Sequence, residues 1–302
     1  MKNKILLLIV VVLSVIAISG SKKETTYFNN AKKEEVKEEI KLALKDTLTG
    51  EIKNIELEDY IVGVVAGEMP ASFNEEALKA QAIASRTYAM YKMKNSNGTY
   101  DLVTDKTNQV YITEDKMKKL WQENFDYYFE KIKKAVYDTK DLIMTCNGNV
   151  ILSMYFARSN GKTEDAILVF GSNEKYLKSV ESPEESLISE VTISKDEFCN
   201  KLNISCDAIN ISDVLKSSSG RINSLNINDK TFKGTEIRTL FDLKSTDFDI
   251  SIGSEIKFVT KGYGHGVGMS QYGANKLAQN GKNYEEILKH YYQNINIEKI
   301  SV

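Results

Sequence analysis

The segment Val64-Val65-Ala66-Gly67-Glu68-Met69-Pro70 leads, after a short turn, into Asn74-Glu75-Glu76-Ala77-Leu78-Lys79-Ala80-Gln81-Ala82-Ile83-Ala84-Ser85-Arg86-Thr87-Tyr88. Two helices meet there. Pro70 has no amide hydrogen and pushes Met69 toward extended geometry, so a helix over 57–67 ends where the chain turns at Glu68. Asn74 is an N-cap ahead of two acidic residues, and small or apolar side chains fill a helix over 74–92. Such a helix is central and closely packed. Its polar residues Lys79, Gln81, Ser85 and Arg86 lie among the apolar ones instead of sharing one outer face, which suits a helix that turns some of them into a polar cleft.

Outward from this pair, Met117, Leu120, Trp121, Phe125, Tyr128, Phe129, Ile132 and Val136 recur at three- and four-residue spacing and predict a third helix over 115–138 with a core-facing stripe. Trp121 is then a core residue rather than a sugar platform. Asn147-Gly148-Asn149, between Leu142-Ile143-Met144 and Val150-Ile151-Leu152, is a hairpin signal. From 141 to about 260 the pattern is short and strand-like, and 185–250 reads as an inserted subdomain with helical turns around Lys195 to Leu202. Gly262 to Gly273 holds five glycines in twelve residues, which frees the backbone and lets another molecule approach. It lacks the Gly-Lys-Ser/Thr of a phosphate cradle. Helices over 270–279 and 284–292 close a mixed α+β fold, in which a helical part and a strand-rich part flank a central substrate groove.

Lys2 and Lys4 precede an uncharged run that lasts until Lys22. Residues 1–21 therefore read as a signal or anchor, and the expectation is a single-pass N-terminal membrane anchor with the remainder outside the cytoplasm. Residues 22–46 are rich in Lys and Glu, with Leu42 and Leu44 too sparse to bury a helical face, and read as a charged tether. The globular region is then 47–302. Forty Lys plus Arg against 42 Asp plus Glu give a net charge of −2, so a nucleic-acid scaffold is disfavoured. Three cysteines and two histidines supply neither a disulfide framework nor a His-rich metal site. Cys199 and Cys206 can pair in an exported protein, leaving Cys146 free, and three reduced thiols fit equally well.

Three blocks, in order, carry a resemblance: Val64 to Pro70 with Glu76 to Tyr88, Ser159-Asn160-Gly161-Lys162-Thr163-Glu164-Asp165, and Gly262 to Gly273. Together they resemble the stage II sporulation protein D family. The resemblance implies a peptidoglycan lytic transglycosylase of engulfment, cutting between N-acetylmuramic acid and N-acetylglucosamine in strands stripped of stem peptides, without a cofactor. Glu68 matches the catalytic glutamate. Implied partners are the glycan strands, a cell-wall amidase (stage II sporulation protein P) and stage II sporulation protein M. Relatives named for enhancing an amidase supply the rival reading, a peptidoglycan-binding protein that does not cut glycan. Several relatives carry a Cys or His cluster before a Gln-x-Tyr motif; here Val103, Thr107 and Asn108 precede Gln109-Val110-Tyr111, and no metal is expected there.

Glycoside cleavage needs a proton on the leaving oxygen, so its acid must stay protonated at working pH. The apolar run before Glu68 can desolvate that carboxyl and raise its pKa. If the sugar's own C6 hydroxyl attacks C1, one residue serves as acid and then as base. Arg86 can hold the lactyl carboxylate of muramic acid or Glu68 itself, or form a structural salt bridge; Lys79, Gln81 and Ser85 can line the same cleft. Ser159, Thr163 and Glu164 suit sugar hydroxyls, although such residues in turns often bond their own backbone. Tyr176 can stack on a sugar or pack in the core. His265, flanked by glycines, can bind substrate with Gln271 and Tyr272, or lock its loop through a hydrogen bond; His290 reads as structural.

Overall fold

The computed structural model describes residues 39–96 and 98–300. In chain order, strands β1 (Lys41–Lys45) and β2 (Ile52–Glu56) form a hairpin that feeds helix α1 (Leu57–Glu68), then α2 (Glu75–Lys94) and β3 (Leu102–Val103). Helices α3 (Glu114–Trp121) and α4 (Phe125–Asp138) follow, then the β4 (Leu142–Cys146) and β5 (Asn149–Val150) hairpin, β6 (Tyr155–Phe156) and α5 (Ala166–Phe170). A further stretch runs through β7 (Ile188–Ser194), α6 (Lys195–Leu202), β8 (Ile211–Lys216), β9 (Ile222–Ile227), β10 (Lys230–Lys233), α7 (Gly234–Leu240), β11 (Phe248–Ile252) and β12 (Glu255–Lys261). The chain closes with β13 (Met269–Ser270), α8 (Gln271–Gln279), α9 (Tyr284–Tyr291) and β14 (Asn296–Lys299). The fold is mixed α+β.

Helix α2 is the axis of the first core. Ala77, Leu78, Ala80, Ala82, Ile83 and Ala84 are all fully buried, because α1, α4, α8, α9 and β4 pack around it and the alanines admit their close approach. The local signals at its start act as their chemistry dictates. Met69 is extended at φ −119° and ψ 143°, ending α1, and the Asn74 side chain accepts a hydrogen bond from the Glu76 amide at 3.0 Å.

A second, separate core lies under β7 to β12, where Phe198, Leu225, Ile237, Phe248 and Phe258 pack together. β12 sits between β11 and β7, both antiparallel to it, so the cluster needs Ile256 and Phe258 and the stretch runs to Lys261 rather than ending near 250. Cys199 and Cys206 are joined by a disulfide with their Cα atoms 5.7 Å apart, and Cys146 is free.

Several expectations are corrected. The folded region starts before Thr47: β1 is paired with β2 and β3, and Leu42 and Leu44 are buried because alternate residues of a strand share one face, a pattern sparse for a helix but sufficient for a strand. The 115–138 helix is interrupted where Gln122 takes φ +47°, which no α-helix continues, and Leu120 is 63% exposed instead of joining the stripe. A groove between a helical and a strand-rich part is not shown by the arrangement of elements. The single-pass anchor is not supported either: among the described residues no helix is long and apolar enough to cross a membrane, and residues 1–21, on which that expectation rested, lie outside them, as does 22–38 of the expected tether.

Candidate active site

Glu68 is the last residue of α1. The helix keeps it there through two glycines on one face, against which the segment Val110 to Ile112 is laid. A Cβ at Gly67 would fall 2.4 Å from the Val110 carbonyl oxygen, and one at Gly63 would fall 2.2 Å from the Tyr111 ring. This contact brings the Val110 amide to Glu68, where it donates to Oε1 at 2.7 Å. From the other side Gln271, at the start of α8, donates from Nε2 to Oε2 at 3.2 Å. Gly67→Ala is therefore expected to push the 110–112 segment away, at a cost of about 1–3 kcal/mol, and to part Val110 from Glu68. A melting curve reads the first effect, and a carboxyl titration the second.

The environment of Glu68 opposes ionisation. Burial raises its pKa above the ordinary 4.5 and outweighs the opposing hydrogen bonds from Val110 and Gln271. Its place at the carbonyl end of a helix adds to the preference for the neutral form. The side chain is nevertheless only partly buried, so a ligand can reach it. A poorly hydrated carboxyl, oriented at both oxygens, is a competent proton donor.

Behind this carboxyl stands a polar cluster. Tyr60 donates its hydroxyl to Gln109 Oε1 at 3.1 Å, and Gln109 Nε2 donates to the Tyr155 hydroxyl at 2.8 Å and to the Ser85 carbonyl at 3.4 Å. Both phenols have pKa values well above the ordinary range, from burial first and from the Glu68 charge among the lesser causes, which places all three groups in one electrostatic neighbourhood. β6 pairs in parallel with β13, Tyr155 opposite Met269, and so carries Tyr155 and the start of α8 to the same place.

Of the residues singled out in the sequence, Gln271 hydrogen-bonds to Glu68 with its side chain. Tyr272 is next to it, but its ring packs edge-on against Phe73 and lies under the Arg158 guanidinium, 3.6 Å from the ring centre. Ser85 borders the Tyr155 phenol and accepts from Gln81 Nε2 at 2.9 Å; both lie inside the protein. Arg86 is not in the site. It is fully buried, donating from Nε and Nη2 to the two Glu58 oxygens at 2.8 and 2.6 Å, and to the Leu142 and Val136 carbonyls at 3.1 Å each. The structural salt bridge is its role, because four acceptors converge on one guanidinium and leave it no access to a ligand. Lys79 is taken up by Glu75, Glu76 and Asp138.

The Ser159 to Asp165 block is structural in its contacts. The Ser159 amide donates to Glu184, the Thr163 hydroxyl accepts from the Val180 amide, and Glu164, 2% exposed, accepts from the hydroxyls of Ser217 and Ser219. The block thus ties the 188–261 stretch to the rest, and Ser159, Thr163 and Glu164 are buried on partners inside the protein. Tyr176 is 8% exposed and accepts from the Leu152 amide, the core placement. His265 locks its loop: Nδ1 accepts from the Val267 amide at 3.1 Å, the ring sits between Phe156 and Phe170, and burial, helped by the charges of Arg238 and Arg221, pushes its pKa down to about 4. His290 contacts the Glu181 carbonyl at 2.7 Å.

Reading the sequence missed Gln109, the Val110 amide and Tyr155. In the sequence Gln109-Val110-Tyr111 stands out only as the edge of a metal site that this chain lacks the Cys and His residues to form. Among the described residues no group of three or more His, Cys, Asp or Glu side chains is placed to hold a metal ion.

Fold and site together define a mixed α+β protein that presents one poorly hydrated carboxyl group, gripped by a loop amide and a helix-start glutamine. The chain belongs to the stage II sporulation protein D family. It is 39% identical over 265 residues, 84% of this chain and 77% of the relative, to stage II sporulation protein D of Bacillus subtilis (strain 168), and 39% identical over 260 residues, 82% and 76%, to that of Bacillus amyloliquefaciens. A family model described as stage II sporulation protein matches residues 45–146, the part holding α1, α2 and Gln109 to Ile112. The chain is also 30% identical over 292 residues to a Bacillus subtilis amidase enhancer, covering 76% of this chain and 39% of that protein.

Proposed function

We propose that this protein is a lytic transglycosylase that cuts the bond between N-acetylmuramic acid and N-acetylglucosamine in peptidoglycan strands freed of stem peptides, during engulfment in sporulation. Glu68 gives its proton to the bridging oxygen as C1 gains oxocarbenium character. The resulting carboxylate then takes the proton of the C6 hydroxyl as that oxygen bonds to C1, so the product ends in a 1,6-anhydro ring and the acid is restored. One carboxyl suffices, since no water is activated. The observation that carries this reading is the partly accessible Glu68, whose pKa burial raises and whose two oxygens Val110 and Gln271 hold. In this reading the lactyl carboxylate pairs with Arg158, stacked on Tyr272 beside Gln271, rather than with the buried Arg86. The partners of the reading are an amidase of the stage II sporulation protein P kind, which strips the stem peptides, and stage II sporulation protein M.

The test is product identity. Purified protein is incubated with stripped glycan strands and the fragments are weighed by mass spectrometry. Anhydro-terminated fragments from the wild type and none from Glu68→Gln support the reading; reducing-end fragments mean hydrolysis and a second group that holds water. The similarity to an amidase enhancer favours one alternative, a strand-binding protein that accelerates an amidase. Strand binding without any fragment release, together with a faster amidase, is its signature.

A further inference from the structure

Gln109 is 1% exposed, and each polar atom of its side chain is engaged: Oε1 by the Tyr60 hydroxyl, Nε2 by the Tyr155 hydroxyl and the Ser85 carbonyl. Tyr60 belongs to α1, Ser85 to α2 and Tyr155 to β6, so one amide is pinned at once to three elements of the core. Nothing about a plain surface loop demands this. A buried glutamine costs desolvation of both its donor and its acceptor unless all are matched, and here they are.

The peptide that follows Gln109 carries the Val110 N–H, which donates to Glu68 Oε1 at 2.7 Å. On its far side the Val110 carbonyl is pressed against Gly67, the residue immediately before Glu68. The direction of that N–H is thus set from two ends, by the Gln109 clamp and by the glycine face of α1. We infer that Gln109 is a positioning residue for Glu68: its side chain, anchored to Tyr60, Ser85 and Tyr155, fixes the peptide whose amide holds the carboxyl oxygen in place. The proposal rests on Glu68 being the acid of the proposed reaction, and concerns what aims it.

Loss of the clamp frees the Val110 amide to swing. A carboxylate that loses an N–H donor is less stable relative to its acid, so Glu68 then holds its proton to higher pH. As the acid of the reaction it stays active further up the pH scale, while its aim at the bridging oxygen worsens. Gln109→Leu is accordingly expected to move the basic limb of the kcat profile to higher pH and to lower kcat at its plateau roughly tenfold, about the effect of one lost hydrogen bond, with KM nearly unchanged. Tyr155→Phe keeps the ring, removes one of the three anchors, and is expected to move the same limb the same way by less.

The deciding readout is the titration of the Glu68 carboxyl followed by carbon-13 NMR on both variants, with a melting curve to establish that each is folded. Upward movement in both supports the clamp. An unmoved titration in folded Gln109→Leu, or in Tyr155→Phe where the first does not fold, overturns it. This titration does not depend on turnover, so a wild type that releases no anhydro fragments would sink the glycan-cutting reading without deciding the role of Gln109.

Discussion

Arg86→Met is expected to destabilise the fold by about 3–5 kcal/mol, a large part of the 5–15 kcal/mol that typically separates folded from unfolded chains. Glu58 is buried in α1, and the substitution strands its carboxylate next to two carbonyls, those of Leu142 and Val136, that lose their donor in the same step. The cost is that of an unpaired buried charge rather than of the pair itself. For that reason the double variant Glu58→Leu/Arg86→Met is expected to recover most of the loss. Denaturant unfolding measures both. Since Arg86 does not contact Glu68, the fraction of single variant that remains folded is expected to keep its turnover. A stable Arg86→Met with lost kcat would return Arg86 to the site.

Glu68→Gln is expected to lower kcat for anhydro-fragment release by roughly 10²–10⁴-fold, the range of general acid catalysis, with strand binding retained. The sign of its pH dependence follows from the direction of the shift. The folded state holds the Glu68 proton above the ordinary 4.5, so wild-type rate is present below the raised pKa and falls as pH rises through it. The Gln variant has lost that limb. Stability changes in step: a raised native pKa means that ionising Glu68 costs the folded state free energy as pH climbs from the ordinary value through the raised one. Glu68→Gln removes this cost. It is therefore expected to melt above wild type at neutral pH, and with no such advantage below both pKa values. Melting temperature against pH for the two proteins checks this, and an equal gap at every pH would contradict the burial of the carboxyl.

What the sequence made legible was local chemistry. Pro70 and Asn74 act within a turn of themselves, so the end of α1 and the start of α2 stand where their residue types put them. The scatter of polar side chains along α2 marks a surrounded helix but not the polar cleft it suggests, for Gln81, Ser85 and Arg86 lie inside the protein on internal partners. It could not name those partners. Glu58, the partner of Arg86, is 28 residues away, and Gln271, the partner of Glu68, is 203 away. The donor from Val110 is backbone, which no pattern of side chains reveals. Leu42 and Leu44 misled because a strand of five residues needs only two inward side chains, and flanking lysines make so short a signal resemble a tether.

The central claim is that the side chain at position 68 meets the oxygen bridging two sugars. A crystal structure of Glu68→Gln with a stripped glycan fragment bound measures this directly. The expected result has the oxygen between N-acetylmuramic acid and N-acetylglucosamine within hydrogen-bond reach of residue 68, about 2.6–3.2 Å. A fragment bound in full occupancy elsewhere, with every glycosidic oxygen beyond reach of that side chain, would contradict it.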